Sequence, residues 1–184
     1  MRYPVAKPKF VLLDAGPVIA LHEAKAWTQF CTRYDVVVPE SVVMDEALWH
    51  SRDATTGFRE TIDVKRDAEA GRVRVVSADS DELTQVARRF SAGFIDALHE
   101  GELEALAILS CNEHFSECAF CSGDGAAIQA AAMAGLAERC VALETLLDGA
   151  GLKKPVTWAF TAEFSRQHRD RGLENLITGF GMRR

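Results

Sequence analysis

The chain has 184 residues, of which 48% are hydrophobic and 26% charged, a composition that suits one globular domain with a sizeable core. Its formal net charge of −6 argues against a protein that binds nucleic acid mainly through a basic surface. No apolar run reaches the length of about 18 residues that a membrane-spanning helix needs, and the polar N-terminus lacks a signal-peptide core. We therefore expect a cytoplasmic protein with no membrane contact.

Short apolar runs alternate with segments of helical periodicity along the chain. The runs predict strands at residues 10–13, 36–39, 73–76 and 119–122, with a further strand candidate at 140–143. The periodic segments predict helices at residues 16–27, 41–50, 79–99 (with Gly93 as a break), 102–111, 126–135, 144–147 and 159–169. Residues 51–71 are polar and predict a loop and a mostly exposed helix. Strands separated by helices of this length form a parallel sheet covered on both faces.

The five cysteines are an odd number, which does not fit a disulfide framework, so we expect reduced thiols. One group, Cys111, His114, Cys118 and Cys121, includes the Cys-x₂-Cys spacing of a zinc site. No second pair with this spacing exists in the sequence, and Cys121 falls in an expected buried strand. We interpret these cysteines as small core residues.

Four acidic residues are expected near one edge of the sheet. Asp14 directly follows the first strand, and Asp124 follows the strand at 119–122. Glu46 lies in the helix after the second strand, and Glu102 begins another helix. Because ligands of parallel sheets bind beyond the carboxyl ends of the strands, these side chains are expected to converge. Their mutual repulsion would favour a bound divalent cation, and carboxylate oxygens suit Mg²⁺ or Mn²⁺.

Each of these residues also has an ordinary structural interpretation. An acid at a helix N-terminus, such as Glu102 or Asp124, is often only a cap or a partner of the helix dipole. Glu46 alone would most often be a solvated helix residue. Ser122 could hold a metal-bound water or a ligand carboxylate, or it could cap the helix after Asp124. The hypothesis of a site therefore depends on the combination of residues.

Four segments, in this order, resemble the motifs of the PIN-domain family. Residues 12–21 (LLDAGPVIAL) resemble its opening strand, Asp and apolar helix, and residues 38–46 (VPESVVMDE) its Pro and Glu-bearing helix. Residues 100–107 (EGELEALA) are similar to the Gly-Glu helix of one subgroup. Residues 122–127 (SGDGAA) resemble the final motif, a Ser or Thr and then an Asp before an alanine-rich helix. Together they cover roughly residues 10–147.

The resemblance implies a PIN-like three-layer α/β fold over residues 1–150, with a C-terminal helical extension over residues 151–184. It implies a Mg²⁺- or Mn²⁺-dependent ribonuclease acting on single-stranded or structured RNA, as in toxins of bacterial toxin–antitoxin pairs. A homodimer and an antitoxin protein are the partners it implies besides RNA. The implied catalytic residues and metal ligands are Asp14, Glu46, Glu102 and Asp124, with Ser122 and Glu104 auxiliary and Glu104 an alternative to Glu102 as third ligand.

Other interpretations stay open on the sequence. A non-catalytic PIN-like module would bind RNA or a protein, although all four acids argue against it. A phosphotransfer protein with Asp14 as phosphoryl acceptor would need a nearby Lys, and the first loop has none before Lys25. A basic group in the extension could contact RNA phosphates or could form a solvated helix face. This group comprises Arg166, His168, Arg169 and Arg171.

Overall fold

The structure, a computed structural model, describes residues 10–46, 49–53 and 58–183, with the backbone alone at residues 45, 46, 49–53, 58 and 59. Its strands are β1 (Phe10–Leu13), β2 (Asp35–Pro39), β3 (Trp49–Asp53), β4 (Phe58–Thr61), β5 (Val73–Val76) and β6 (Ala119–Cys121). Its α-helices are α1 (Ala15–Glu23), α2 (Trp27–Cys31), α3 (Val64–Glu69), α4 (Ser80–Ala87), α5 (Ala92–Ile95), α6 (Glu100–Cys111), α7 (Gly125–Met133), α8 (Leu143–Gly149) and α9 (Ala162–Thr178).

Four parallel strands form the central sheet in the order β5-β2-β1-β6. The first two connections add β2 and then β5 on one side of β1, and the chain returns to place β6 on the other side. The carboxyl ends of β1 and β6 therefore lie side by side where the direction of strand addition reverses. The strands expected at residues 10–13, 36–39, 73–76 and 119–122 are all confirmed.

Helices cover both faces of this sheet, as the sequence predicts. Side chains alternate along β1, so Val11 and Leu13 pack into one core while Leu12 packs into the other. The first core contains buried residues of α1, α2 and α8, and the second contains residues of α4, α6 and α7. The apolar character of the whole strand follows from burial on both sides. The protein is thus an α/β fold with a parallel sheet between two helical layers.

The segment after β2 differs from the sequence prediction. Residues 42–46 form a π-helical turn, Val42–Glu46, and the expected helix at 41–50 is wrong beyond it because β3 follows. β3 pairs with β4 as an antiparallel hairpin separate from the central sheet. Both strands are rich in polar residues, so no apolar alternation marks them in the sequence. Within residues 51–71 the expected helix is confirmed, as α3, whereas β3 and β4 occupy part of the expected loop and residues 54–57 lie outside the described residues.

Several expected helices have different bounds in the structure. The helix expected at 16–27 is two helices, α1 and α2, because Lys25 has a left-handed φ of 52° that no helix continues through. The helix expected at 79–99 is also two, and the break lies at residues 88–91 instead of at Gly93. The candidate strand at 140–143 is reduced to a single parallel bridge between Cys140 and Phe120.

The C-terminal extension packs closely on the rest of the molecule through its helix α9, which lies against α7. A Cβ at Gly172 would lie 2.5 Å from the carbonyl oxygen of Gln129, so only glycine permits this approach. The side-chain amide of Asn175 donates a hydrogen bond to Oε1 of Gln129 at 3.3 Å. α9 consequently continues to Thr178, well beyond the predicted end at residue 169. Among the described residues, no helix has the length and apolar character needed to cross a membrane.

Candidate functional site

A cavity of about 240 Å³ lies at the carboxyl ends of β1 and β6. This is the position at which sheets of this topology bind ligands, because the connections of neighbouring strands leave in opposite directions and open a crevice. Three of the predicted acids, from three different parts of the chain, line it. The lining residues are Asp14, Ala15, Gly16, His99, Glu102, Gly123, Asp124 and Phe160.

Asp14 lies between the end of β1 and the first turn of α1. Its Oδ1 accepts a hydrogen bond from the backbone N–H of Ala15 at 2.7 Å, and its Oδ2 accepts one from the Ser122 hydroxyl at 2.7 Å. The side chain belongs to a residue that is only 5% exposed. A buried carboxylate needs such donors, because burial without them costs several kcal/mol, about 2–7 even for an uncharged polar group. Asp14 is therefore held in one orientation at the cavity wall.

A short chain of hydrogen bonds connects the two loops that carry Asp14 and Asp124. The backbone N–H of Asp124 donates to Oγ of Ser122 at 2.9 Å, and that hydroxyl donates to Asp14. Ser122 is 4% exposed, so water does not compete for these bonds. The auxiliary residue of the sequence analysis thus orients a site carboxylate directly and also positions the loop after β6.

Asp124 has two roles in the geometry, one for each oxygen. Its Oδ1 accepts hydrogen bonds from the backbone N–H groups of Ala126 at 2.6 Å and Ala127 at 3.2 Å, which is the N-cap of α7. Its Oδ2 accepts no hydrogen bond from any residue that the structure describes. The capping interpretation is therefore correct for one oxygen, and the other oxygen is available at the cavity.

The structure separates Glu102 from Glu104, which the sequence leaves as alternatives. Glu102 lines the cavity, is 2% exposed, and accepts a hydrogen bond at Oε2 from the backbone N–H of His99 at 2.9 Å. Glu104 lies elsewhere: its Oε2 accepts from the N–H and hydroxyl of Ser41, and its Oε1 from the N–H of Ala78 at 3.2 Å. Glu104 therefore joins the segments that follow β2 and β5 to α6.

The remaining predicted acid, Glu46, is the last residue of the π-helical turn after β2. Its side chain lies outside the described residues, so its predicted place in the site stays a prediction. Within the described part of the chain, no three or more His, Cys, Asp or Glu side chains form a group that could hold a metal ion as they stand.

Two residues of the cavity wall were not identified from the sequence. His99 is an exposed residue immediately before the Gly-Glu motif, and its position next to that motif was the available signal. Phe160 lies in a 3₁₀ turn, Trp158–Phe160, of the C-terminal extension. No spacing rule connects it to the acids, because its contact with Gly16 and Gly123 depends on how α9 packs.

The cysteine group is part of the core. All five cysteines are free thiols, and Cys118 and Cys121 are buried. Burial raises the pKa of Cys118 to about 12 despite the opposing charge of Arg139, and burial followed by the charge of Asp14 raises the pKa of Cys121. Since a thiol binds zinc as thiolate, these environments favour the core interpretation made from the sequence.

Two members of the basic group of the extension, Arg166 and Arg169, are paired with acids of the same helix. Arg166 contacts Glu163 at 2.7 Å and Asp170 at 3.6 Å, and all three side chains are well exposed. His168 instead packs against Gly125 and Phe164, and its Nδ1 lies 3.0 Å from Nε2 of Gln129. The geometry around Arg166 is that of a solvated helix face, the alternative considered in the sequence analysis.

Fold and site together define an α/β protein with a carboxylate-lined cavity at the topological switch point of a parallel sheet. No protein-family model matches the chain, and neither the curated proteins nor the solved structures include a significant match.

Proposed function

We propose that this protein is a divalent-metal-dependent ribonuclease of PIN type, which hydrolyses RNA phosphodiester bonds at the cavity lined by Asp14, Glu102 and Asp124. The observation that carries the proposal is that these acids, more than 100 positions apart at the extremes, line one cavity at the switch point. Two of them are almost fully buried. Buried carboxylates destabilise a fold unless hydrogen bonds or opposite charges compensate them, and several that line one cavity repel one another, so their convergence favours a cation site.

The donor set fits a hard cation such as Mg²⁺ or Mn²⁺. Asp14 and Asp124 supply carboxylate oxygens, and Ser122 keeps the Asp14 carboxylate in a fixed orientation. Mg²⁺ usually retains several waters and takes only one or two protein carboxylates, so a preformed cage of three ligands is not required. Asp14 and Asp124 would hold the ion directly, and Glu102 would hold it through one of its bound waters. The ion would supply charge stabilisation for the phosphoryl oxygens and lower the pKa of a bound water.

Glu102 and Ser122 have separate roles in the proposed reaction. Glu102, fixed by the His99 N–H at 2.9 Å, presents a carboxylate to the cavity and would accept a hydrogen bond from the attacking water. Ser122 maintains the separation of the two aspartates by bonding to both of their loops. The alternative, a non-catalytic PIN-like module that binds RNA or protein, predicts the same cavity without turnover.

The decisive experiment measures cleavage of single-stranded RNA with Mn²⁺ by the wild type, Asp14→Asn and Asp124→Asn. Asn caps helices about as well as Asp, so Asp124→Asn keeps the fold while removing one charge. We expect each variant to lose at least about 100-fold in rate, the scale of one transition-state stabilising group. Glu69→Gln, which removes an exposed charge on α3 away from the cavity, is the matched control.

Circular dichroism checks that every variant is folded. Cleavage by Asp124→Asn at the wild-type rate would remove Asp124 from the site. Absence of metal-dependent cleavage by the wild type across varied RNAs would favour the non-catalytic module.

We also propose a homodimer, as the family resemblance implies. Leu173, Leu176 and Ile177 form an exposed apolar stripe at helical spacing on α9, and Ile177 is 86% exposed. Light scattering should give twice the chain mass for the wild type and the single mass for Ile177→Lys. A monomeric wild type over a wide concentration range would refute the dimer. An antitoxin partner stays a prediction based on the resemblance.

A further inference from the structure

A second cavity of about 400 Å³ adjoins the carboxylate cavity, and Phe160 lines both. Its floor consists of buried apolar side chains of α1 and α8, namely Leu21, Leu143 and Leu147. Its rim is formed by residues 154–157 of the C-terminal extension. A mainly apolar cavity of this volume with a few polar groups at its edge is suited to a small, flat organic group.

Phe160 occupies a fixed place between the two cavities. Its ring packs on the glycine backbone of both acid-bearing loops: its Cζ is 3.5 Å from an ideal Cβ at Gly16, and a Cβ at Gly123 would collide with it. Gly16 and Gly123 are within two residues of Asp14 and Asp124. The aromatic ring therefore stands directly beside the carboxylates, where a group attached to a phosphate in the first cavity would pass.

The rim carries a positive charge, and a second aromatic residue lies two positions before Phe160. Lys154 is exposed at the edge of the second cavity and forms no ion pair with the residues that the structure describes. Trp158, in the same 3₁₀ turn as Phe160, is 56% exposed. A cation together with aromatic side chains, of which Phe160 is half-buried and Trp158 exposed, is the combination with which proteins bind single-stranded nucleic acids.

We propose that the second cavity is a nucleobase-binding subsite. A base of single-stranded RNA enters it and stacks on Phe160, its sugar-phosphate lies toward Asp14 and Asp124, and Lys154 contacts a neighbouring phosphate. This inference rests on the proposed function for the placement of the phosphate. Since a base inside a duplex cannot leave its stack without cost, the subsite selects single strands over double-stranded RNA.

The test is a binding measurement by fluorescence anisotropy with Ca²⁺, which carboxylate oxygens also bind and which offsets the charge of the acids, and a gel checks that the RNA stays intact. The probes are a short labelled single-stranded RNA, an abasic ribose-phosphate strand of equal length, and the corresponding duplex. Phe160→Leu retains apolar contact with the glycines and removes the stacking face. Phe180→Leu makes the same change at an exposed residue that lines neither cavity.

We expect Phe160→Leu to raise the Kd for single-stranded RNA by about 5- to 150-fold, the range reported by alanine substitution of base-stacking aromatics. Its Kd for the abasic strand should not change, and Phe180→Leu should bind every probe like the wild type. Lys154→Met should weaken both strands and lower the salt dependence by about one phosphate contact, whereas Lys65→Met on α3 should not.

The subsite is overturned if Phe160→Leu binds single-stranded RNA like the wild type. It is equally overturned if the wild type binds the abasic strand as tightly as the intact one, a comparison that stands even if the variant does not fold. Base-dependent binding without metal-dependent cleavage would refute the ribonuclease and leave the subsite. Metal-dependent cleavage without base-dependent binding would refute the subsite and leave the ribonuclease.

Discussion

Exchanging Glu102 and Glu104 separately for Gln should distinguish a residue that binds a cation from one that holds the fold together. The two acids are two positions apart on α6, both are buried, and each substitution removes one negative charge. Their contacts differ: Glu104 accepts hydrogen bonds from three donors on Ser41 and Ala78, whereas Glu102 lines the cavity. The two substitutions therefore make the same chemical change, but Glu102→Gln is expected to weaken metal binding and Glu104→Gln to destabilise the fold.

The stability cost of Glu104→Gln follows from its three bonds. An amide has one acceptor oxygen, which can serve the N–H and hydroxyl of Ser41, so its NH₂ group would face the N–H of Ala78. One charge-assisted bond is lost, worth about 1.5–3 kcal/mol, and two are weakened by about 0.5–1 kcal/mol each. The total of about 2.5–5 kcal/mol lowers the Tm of a chain this size by roughly 5–20 °C.

Glu102→Gln should change stability by only about 1 kcal/mol, because the amide oxygen can still accept the bond from the His99 N–H. It should instead lose the stabilisation that Mn²⁺ gives the wild type, about 2.7 kcal/mol at a concentration 100 times the Kd. Glu104→Gln should retain that stabilisation. Urea unfolding of the three proteins with and without Mn²⁺ measures both effects.

The opposite pattern would refute this assignment. A Glu104→Gln protein of normal stability that no longer responds to Mn²⁺ would make Glu104 the ligand, and the contacts with Ser41 and Ala78 would be secondary.

Three further results are expected. Gly172→Ala should destabilise the protein by about 1–3 kcal/mol, because the added methyl group overpacks against Gln129. Gly93→Ala is the control, since a Cβ there meets nothing within 4 Å. Equal stability of the two variants in urea unfolding would contradict the close contact between α7 and α9. Cys118 and Cys140 should react with a thiol reagent at pH 8 far more slowly in the folded protein than in urea, because burial raises the pKa of each to about 12. For the same reason the free energy of unfolding should fall between about pH 9 and pH 12, where the unfolded thiols ionise and the folded ones stay protonated; a flat profile would show that these thiols ionise equally in both states.

Much of the fold could be predicted because it depends on local patterns. Each central strand is a short apolar run, and burial on both faces of the sheet requires that pattern. The β3–β4 hairpin could not be predicted, since two polar strands that form a sheet separate from the central one leave no periodic signal. The length of α9 was also missed, because Gly172 would weaken an isolated helix and is favoured here only by the approach of α7.

The candidate site could likewise be predicted only in part. Asp14 and Asp124 could be placed at one edge because each follows a strand, and topology decides where strand ends lie. The division between Glu102 and Glu104 could not be predicted, since it depends on which donors of the loops after β2 and β5 come within reach. The position of Phe160 in the cavity wall could not be predicted either, because it depends on how the C-terminal extension packs on the rest of the molecule.

The packing of the C-terminal helix on α7 also has a consequence for biosynthesis. During translation the acids at positions 14, 102 and 124 leave the ribosome first, and chains begin to fold from the N-terminal side as they emerge. Phe160 and the helix that holds it in place, up to Thr178, follow much later. The cavity wall between the carboxylates and the second cavity therefore cannot form on a nascent chain until these residues have emerged.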